Sequence, residues 1–382
     1  MIGTIKNKKI AIVGGGPGGL TLARLLQMNG ADVKVFERDI NENSRAKGAT
    51  LDLHEESGLK ALHEAGLMDG FMANYRPDAD RMRITNKNAV IIFDDHNNEG
   101  KNAGRPEIDR GPLQKILLDS LLPDTIVWNS HILSLSRLKD DTLKLVFENG
   151  QTGVFDLVIA ADGANSKIRP YITPVKPFYS GVTVVEGAIY DSENSCPEIH
   201  QLLNGGKIFA LGDEKSLIVS SKGDGSMVFY TGCKTSENWS RESGIDFSDR
   251  KQVLAWFQKE YEGWDKVWQE LFENASAAFI PRPQYCMPFD QNWDSLVNLT
   301  MLGDAAHLMP PYAGEGVNMA MLDALELSQC LISEEFTDLH QAISAYEKQM
   351  LARVSTIAKI TMDSTDALHS PDAISFMLDI VQ

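Results

Sequence analysis

The feature that most constrains the fold is a glycine-rich turn between a strand and a helix near the start of the chain. The apolar run KIAIV at residues 9–13 leads into Gly14-x-Gly16-x-x-Gly19, a helical pattern follows, and the next strand-like run ends at Glu37. In a βαβ unit the glycines permit a tight turn, close approach of a pyrophosphate and close packing of helix on strand. The acid accepts hydrogen bonds from a ribose. The pattern therefore predicts a nucleotide site, with a ligand-free glycine turn as the alternative, and the acid disfavours a 2′-phosphate.

Two later stretches repeat the arrangement of an apolar strand ending in glycine and an acid. One is DLVIAADGANSKIRP, in which Asp162 follows the strand, and the other is GDAAHLMPPYAGEGVN, which begins at Gly303-Asp304. Ligands of open α/β sheets bind beyond the carboxyl ends of the strands. Each stretch on its own fits a plain strand–helix turn, but a dehydrogenase that binds NAD alone would need neither. Together they predict an extended dinucleotide.

The middle of the chain has a different pattern, which indicates a second domain. From about residue 177, short alternating runs such as GVTVVEGAIY and GSMVFYTGC are separated by glycine turns, as in an antiparallel sheet. A chain of 382 residues also exceeds one typical core. We predict an α/β protein with a Rossmann-like domain at residues 1–72, 104–176 and 280–335. An inserted antiparallel-sheet domain takes 73–103 and 177–279, and a C-terminal helical segment takes 338–382.

Composition excludes several classes of function. The formal charge of −17 argues against nucleic acid and anionic membranes as partners. The four cysteines lie far apart without a CxxC pair, and His54 and His63 lack the HExxH spacing, so no metal site or disulfide framework is expected. The first residues show no cleavable leader, and no apolar run is long enough to span a membrane. We expect a cytoplasmic, monomeric protein.

The three motifs resemble, in order, the signatures of the class A FAD-dependent monooxygenases of the aromatic-hydroxylase type. Within them, KVFERD, GATLDLHEESG and PEIDR look most like the tetracycline-inactivating enzymes. The resemblance runs from about residue 9 to about 350. It implies noncovalent FAD, NADPH or NADH as a transient reductant, and O₂. One oxygen atom would pass through a C4a-hydroperoxyflavin to a polycyclic or phenolic small molecule, with no catalytic side chain.

The resemblance also implies roles for individual residues. Asp304 would accept hydrogen bonds from the ribityl chain, and Gly314 and Gly316 would leave room for the isoalloxazine. For Arg110 an ion pair with Asp109 is the alternative, and for Arg45 an exposed surface charge. His307 is expected to be structural. The full set of predicted cofactor residues is Gly14, Gly16, Gly19, Glu37, Arg45, Asp52, Arg110, Asp162, Asp304, Gly314, Gly316 and Asn318.

The resemblance is less complete at the positions that bind the substrate. The tetracycline-inactivating enzymes hold their drug with a glutamine, an arginine and a histidine, and the matching positions here are Glu186, Lys207 and Val228. We expect Glu186 and Lys207 to pair on a cavity wall stiffened by Pro311, with a solvent-facing pair as the alternative. Tetracycline is therefore one candidate substrate beside other polycyclic or phenolic compounds. A flavin reductase or dehydrogenase, and a noncatalytic FAD-binding protein, are the competing functions.

Overall fold

The computed structural model describes residues 3–42, 44, 50–96 and 105–381. Its strands are β1 (Lys9–Val13), β2 (Asp32–Phe36), β3 (Thr50–Asp52), β4 (Met82–Asn86), β5 (Ile91–Asp94), β6 (Glu107–Asp109), β7 (Ile126–Val127), β8 (Ile132–Arg137), β9 (Leu143–Phe147), β10 (Thr152–Phe155), β11 (Leu157–Ala160), β12 (Phe178–Ile189), β13 (Lys207–Gly212), β14 (Lys215–Ser221), β15 (Met227–Lys234), β16 (Ile280–Cys286) and β17 (Leu299–Met301). Its α-helices are α1 (Pro17–Met28), α2 (Lys60–Glu64), α3 (Met68–Met72), α4 (Arg110–Asp119), α5 (Ser192–Ser195), α6 (Pro197–Leu203), α7 (Trp239–Glu242), α8 (Arg250–Glu260), α9 (Gln269–Glu273), α10 (Asp304–His307), α11 (Gly316–Ile332), α12 (Leu339–Leu368) and α13 (Ala373–Val381).

The chain forms two compact units, each built from three separate segments. The first unit comprises Met1–Tyr75, Arg110–Phe178 and Cys286–Thr361, and the second comprises Arg76–Asp109, Tyr179–Tyr285 and Met362–Gln382. The predicted C-terminal helical segment, residues 338–382, is divided between the two units. Ile343, Tyr346 and Met350 of α12 are fully buried in the core of the first unit, so the start of this helix belongs to that unit.

The first unit contains a five-stranded parallel sheet in the order β17-β11-β1-β2-β7. All residues of β11 and β17 are buried, as are four of the five in β1, which explains why these strands read as continuous apolar runs. Helices α1 and α11 pack closely, since a Cβ on Gly18 would lie 2.7 Å from the Ala320 carbonyl oxygen. The predicted Rossmann-like sheet is confirmed.

The second unit contains a seven-stranded sheet in the order β16-β12-β15-β14-β13-β4-β5. Neighbouring strands pair antiparallel from β12 through β15 and β14 to β13, as predicted, while β13 and β4 pair parallel. Alternate residues such as Val185, Ile208 and Phe229 are buried in a core. The remaining alternate residues define what we call the non-core face: Val184, Glu186, Ala188, Lys207, Phe209, Leu211, Ile218, Ser220, Val228 and Tyr230.

None of the helices within the described ranges combines the length and apolar composition needed to cross a lipid bilayer.

Candidate cofactor site

The three sequence motifs meet at one edge of the first unit's sheet. Strands β17, β11, β1 and β2 are adjacent and parallel, so their carboxyl ends lie side by side. Asp304, Asp162, Gly14 and Glu37 follow these four strands in that spatial order. The edge thus brings three acids and a glycine turn together from distant parts of the chain.

Glycine occupies the three positions of the first turn for different physical reasons. A Cβ on Gly14, whose φ is +115°, would lie 2.1 Å from the Ala161 carbonyl oxygen, and a Cβ on Gly19 would lie 2.2 Å from the Gly14 carbonyl oxygen. These two glycines are required by the packing of the protein itself. A Cβ on Gly16 would meet no atom within 4 Å, although Gly16 caps α1. The middle glycine therefore leaves space at a helix N-terminus, where backbone N–H groups attract anions.

Glu37 stabilises the same turn. Its side chain is only 3% exposed, and its Oε2 atom accepts a hydrogen bond from the Gly15 N–H at 2.6 Å. Its Oε1 atom accepts from the Asp39 N–H at 3.0 Å. These two contacts fix the carboxylate beside the glycine turn. The predicted ribose contact stays a prediction.

Within the described residues, one side-chain oxygen of Asp162 has no hydrogen-bond donor. Its Oδ2 atom accepts from the Lys167 N–H at 2.8 Å, whereas Oδ1 is buried and has no hydrogen-bond partner within the described residues. Burial raises the pKa of this carboxyl, against hydrogen bonds from Ser166 and Lys167 that lower it. Buried acceptors in native proteins are nearly always paired. A hydroxyl-bearing ligand at this edge of the sheet would supply the missing donor.

The Gly303–Asp304 turn is joined to the neighbouring loop by Arg169. The guanidinium is 7% exposed, and its Nε donates to the Ala305 carbonyl at 2.6 Å. Its Nη2 donates to the carbonyls of Asp304 at 2.7 Å and Ala164 at 3.0 Å. The sequence placed Arg169 in a motif without giving it a role. The structure shows that it fixes the loop after β17 against the loop after β11.

Asp304 presents its carboxyl at the surface of this turn. The side chain is exposed, yet crowding by protein desolvates it enough to raise its pKa. The charges of His307, Arg110 and Arg169 oppose that rise. Arg110, which begins α4, therefore acts on the Asp304 carboxyl, and its predicted contact with the flavin stays a prediction.

A third group of predicted residues surrounds the start of α11. The Asn318 side chain is fully buried and donates from Nδ2 to the carbonyls of Asp52 at 2.9 Å and Gly314 at 3.1 Å. Its Oδ1 accepts from the His54 N–H at 2.9 Å and the Ser57 hydroxyl at 3.3 Å. All four positions are used, so the Asn318 side chain shapes the loop into α11, as the sequence predicted. Its contact with the cofactor stays a prediction.

Gly314 and Gly316 also differ from each other. Gly314 has a φ of +70°, and a Cβ there would lie 2.7 Å from the Asp52 Oδ2 atom. The positive φ and the Asp52 carboxylate both favour glycine here, and the predicted room for the isoalloxazine stays a prediction. Gly316 begins the 17-residue helix α11, and a Cβ there would meet no atom within 4 Å. It leaves space beside the positive end of a long helix.

Sequence reasoning missed Asp323, which is fully buried beneath the Gly303–Asp304 turn. Its Oδ2 accepts from the Gly303 N–H at 2.9 Å and contacts His307 Nε2 at 2.5 Å. Its Oδ1 accepts from Arg353 Nη2 at 2.5 Å. The available signal was an acid, Asp323, in the largely apolar helical run NMAMLDALELSQCL, which also contains Glu326. The contacts of His307 agree with the structural role expected for it.

Comparison with known proteins identifies the family. The family model described as an FAD binding domain matches residues 7–242 and 289–361. The chain belongs to this family, the class A flavin monooxygenases. The monooxygenase penA of Penicillium thymicola is 28% identical over 408 residues, covering 92% of this chain and 93% of the relative. The 3-amino-4-hydroxybenzoate 2-monooxygenase PtmB3 of Streptomyces platensis is 27% identical, covering 95% and 89%.

The fold of this flavin monooxygenase also occurs among the tetracycline destructases. The structure of Tet(55) superposes with a TM-score of 0.76, covering 98% of this chain and 94% of that one, at 19% identity. At 19% identity, this similarity shows a shared fold and no more.

Three of the four predicted substrate residues of the flavin monooxygenase, Glu186, Lys207 and Val228, lie on the non-core face of the second unit's sheet. In the strand register, Glu186 is level with Tyr230, Ile218 and Phe209, and Lys207 lies in the next row with Val228. Glu186 and Lys207 are on strands separated by three strand spacings, about 14 Å.

The predicted Glu186–Lys207 pair is therefore wrong. Glu186 Oε2 instead accepts from Arg282 Nε at 2.5 Å, and Lys207 pairs with the buried Glu107. The side chains of Glu186 and Lys207 are each 19% exposed, so the solvent-facing alternative does not hold either.

Two remaining predictions concern single residues. Pro311 begins a short 3₁₀ turn of the first unit, Pro311–Ala313, and is exposed. Arg45 lies outside the described residues, so its predicted contact stays a prediction.

Proposed function

We propose that this flavin monooxygenase uses NADPH or NADH and O₂ to hydroxylate a polycyclic or phenolic small molecule. The binding of FAD in this proposal is supported by the four strand ends that lie side by side in the first unit. FAD, when bound, supplies the redox and oxygen-transfer chemistry. The protein's part is to hold the cofactor, position the substrate and exclude water.

The residues of the first unit fit the parts of FAD. The space at Gly16 and the N-terminus of α1 would accept the pyrophosphate, and Glu37 would accept from the adenosine ribose. Asp304 and the unpaired Oδ1 of Asp162 would accept from ribityl or ribose hydroxyls. The N-terminus of α11, beginning at Gly316, would face the electron-rich edge of the isoalloxazine.

The non-core face of the second unit supports an aromatic substrate. Phe209, Ile218 and Tyr230 are half-buried neighbours in one row across three strands. Such a row offers apolar and aromatic contact to a flat ring system. Glu186 stands at the end of this row, and Lys207 lies beside Phe209 in the next one. The relative that acts on 3-amino-4-hydroxybenzoate supports a phenolic compound.

Product mass is the direct test. The purified protein is incubated with NADPH or NADH, O₂ and a panel of polycyclic phenols, and cofactor oxidation is followed together with the mass of each product. A product heavier by one oxygen atom supports the proposal. A product that differs only in hydrogen would favour the reductase, and the absence of turnover with the whole panel would favour a noncatalytic FAD-binding protein.

The chain offers a matched pair of variants for the substrate face. Lys207→Ala changes the non-core face, whereas Lys215→Ala removes a lysine of the adjacent strand that pairs with Glu260 and lies over the Tyr261 ring on the core side. We expect Lys207→Ala to raise KM with unchanged FAD content, and Lys215→Ala to leave KM as in the wild type. Equal KM values in both variants would show that the non-core face does not contact the substrate.

A further inference from the structure

The Gly303–Asp304 turn rests on a buried group of charges that the reaction itself does not require. Asp323 of α11 is fully buried and contacts the Gly303 N–H, His307 and Arg353. Arg353 comes from α12 and also pairs with Glu326. The turn that presents Asp304 is thus held from below by one carboxylate.

Asp323 acts on His307, and His307 in turn acts on Asp304. Burial disfavours the charged form of His307, but the Asp323 carboxylate outweighs it and raises the pKa of the imidazole. Burial also acts on Asp323, and there the charges of His307 and Arg353 prevail and lower its pKa. The Asp323 carboxylate therefore favours the protonated form of His307, which lies one helical turn from Asp304. Of the charges that favour ionised Asp304, that of His307 is the strongest, ahead of Arg110 and Arg169.

We propose that Asp323 is a positioning residue that holds the Gly303–Asp304 turn in place and, through His307, keeps Asp304 ionised for FAD. The inference rests on the proposed contact between Asp304 and the cofactor. An ionised carboxylate is the stronger acceptor for a ribityl hydroxyl. Protonation of Asp304 should therefore loosen FAD, and the pH at which this happens should depend on Asp323.

Other charged and titratable groups lie around His307 and Asp304, and some of them also change their protonation with pH. His307 is influenced by Asp323, Asp304 and Arg353, and the buried Tyr346 lies near Asp323 with its hydroxyl donating to the Met301 carbonyl. Tyr346 has a pKa raised well above its usual value, so it stays neutral in acid. Arginines do not titrate in this range. Asp162 is a further acid-sensitive carboxyl, because it acts on Arg169 together with Asp304, and Glu326 is another, because it pairs with Arg353.

The test measures FAD retention as a function of pH. Holoprotein is dialysed at a series of pH values, retained flavin is measured by its fluorescence after release, and Tm is recorded in parallel. Wild-type protein should lose FAD as the pH falls. Asp323→Asn removes the charge that keeps His307 protonated, so its FAD loss should shift to higher pH. His307→Gln should shift the midpoint in the same direction, and the double variant should shift it no further than the larger single shift.

Two control variants separate positioning from stability. Glu347→Gln changes another buried acid of the same unit, which accepts from Ser295 and Thr300, and it should leave the midpoint unchanged even if Tm falls. Asp304→Asn removes the titrating carboxyl and should flatten the pH dependence.

Two results would overturn the inference in distinguishable ways. If Asp323→Asn and His307→Gln lower Tm but keep the wild-type midpoint, Asp323 only supports the fold and the assignment of Asp304 stands. If Asp304→Asn keeps the wild-type pH dependence, Asp304 does not hold FAD, and both the proposed contact and the inference built on it are wrong.

Discussion

Replacing Gly16 by alanine adds one methyl group at the point where the first glycine turn leaves open space. The φ of Gly16 is −77°, which alanine adopts without strain, and its Cβ would meet no atom within 4 Å. Alanine is a poorer helix cap than glycine, by up to about 1 kcal/mol, and the lower entropy of the unfolded chain offsets about 0.4–1 kcal/mol of this. The apoprotein should therefore keep its free energy of unfolding.

FAD binding should respond very differently to the same methyl group. A methyl forced into a close-packed contact costs about 1–3 kcal/mol, which corresponds to a Kd for FAD roughly 5- to 150-fold higher. The assay is titration of apoprotein with FAD, followed by quenching of flavin fluorescence, beside denaturant unfolding of the apoprotein.

Gly14→Ala is the control, because its effect should fall on the fold. The φ of +115° and the 2.1 Å approach to the Ala161 carbonyl combine backbone strain of about 1–2 kcal/mol with overpacking of about 1–3 kcal/mol. The apoprotein of this variant should lose about 2–5 kcal/mol of unfolding free energy. An unchanged Kd for FAD in Gly16→Ala would refute the placement of the pyrophosphate at this turn.

Four further outcomes are expected. Asp304→Ala should weaken FAD binding by about 1.5–3 kcal/mol, the value of a hydrogen bond to a charged acceptor, and equilibrium dialysis against FAD measures it. Acid precipitation should release all of the flavin into the supernatant, because the cofactor is expected to be noncovalent; yellow protein in the pellet would contradict this. Burial lowers the pKa of His369 in the folded protein below the unfolded value of about 6.5. The stabilisation that depends on neutral His369 is therefore present above pH values of about 6.5 and is lost as the pH falls through the folded-state pKa. Tm should fall between pH 7.5 and 5.5 by more in the wild type than in His369→Gln. The triple variant Glu186→Gln, Lys207→Arg, Val228→His should gain turnover of tetracycline, and no gain with full FAD content would show that these positions do not select the drug.

The sequence predicted those parts of the site in which the residues of one short stretch determine the local structure. The run before Gly14 is apolar because β1 is buried on both faces, and residue 14 is a glycine because the Ala161 carbonyl leaves no room for a side chain there. The same holds for Asp162 and Asp304, each directly after a buried strand. The parallel order of the strands then brings these local signals together.

The parts that the sequence did not predict depend on partners far along the chain. Glu186 and Lys207 have opposite charges and lie on the same face, but their separation is set by the strand order, in which two strands lie between them. Their actual partners, Arg282 and Glu107, lie outside the three strands considered. Asp323 was overlooked because an acid in a largely apolar helix does not reveal which turn it supports.

The order of the first unit's strands sets when the protein can acquire its cofactor during synthesis. The sheet places β17, from the last third of the chain, beside β11, with β1 from the very beginning as the next strand. A ribosome that has released β1, β2 and β11 has therefore made only part of the FAD edge, and Asp304 and the start of α11 are still to come. Pairing between such distant segments is slow and leaves strand edges exposed in the meantime. FAD should accordingly be incorporated after translation, and a nascent chain stopped before Leu299 should depend on chaperones and fail to retain flavin.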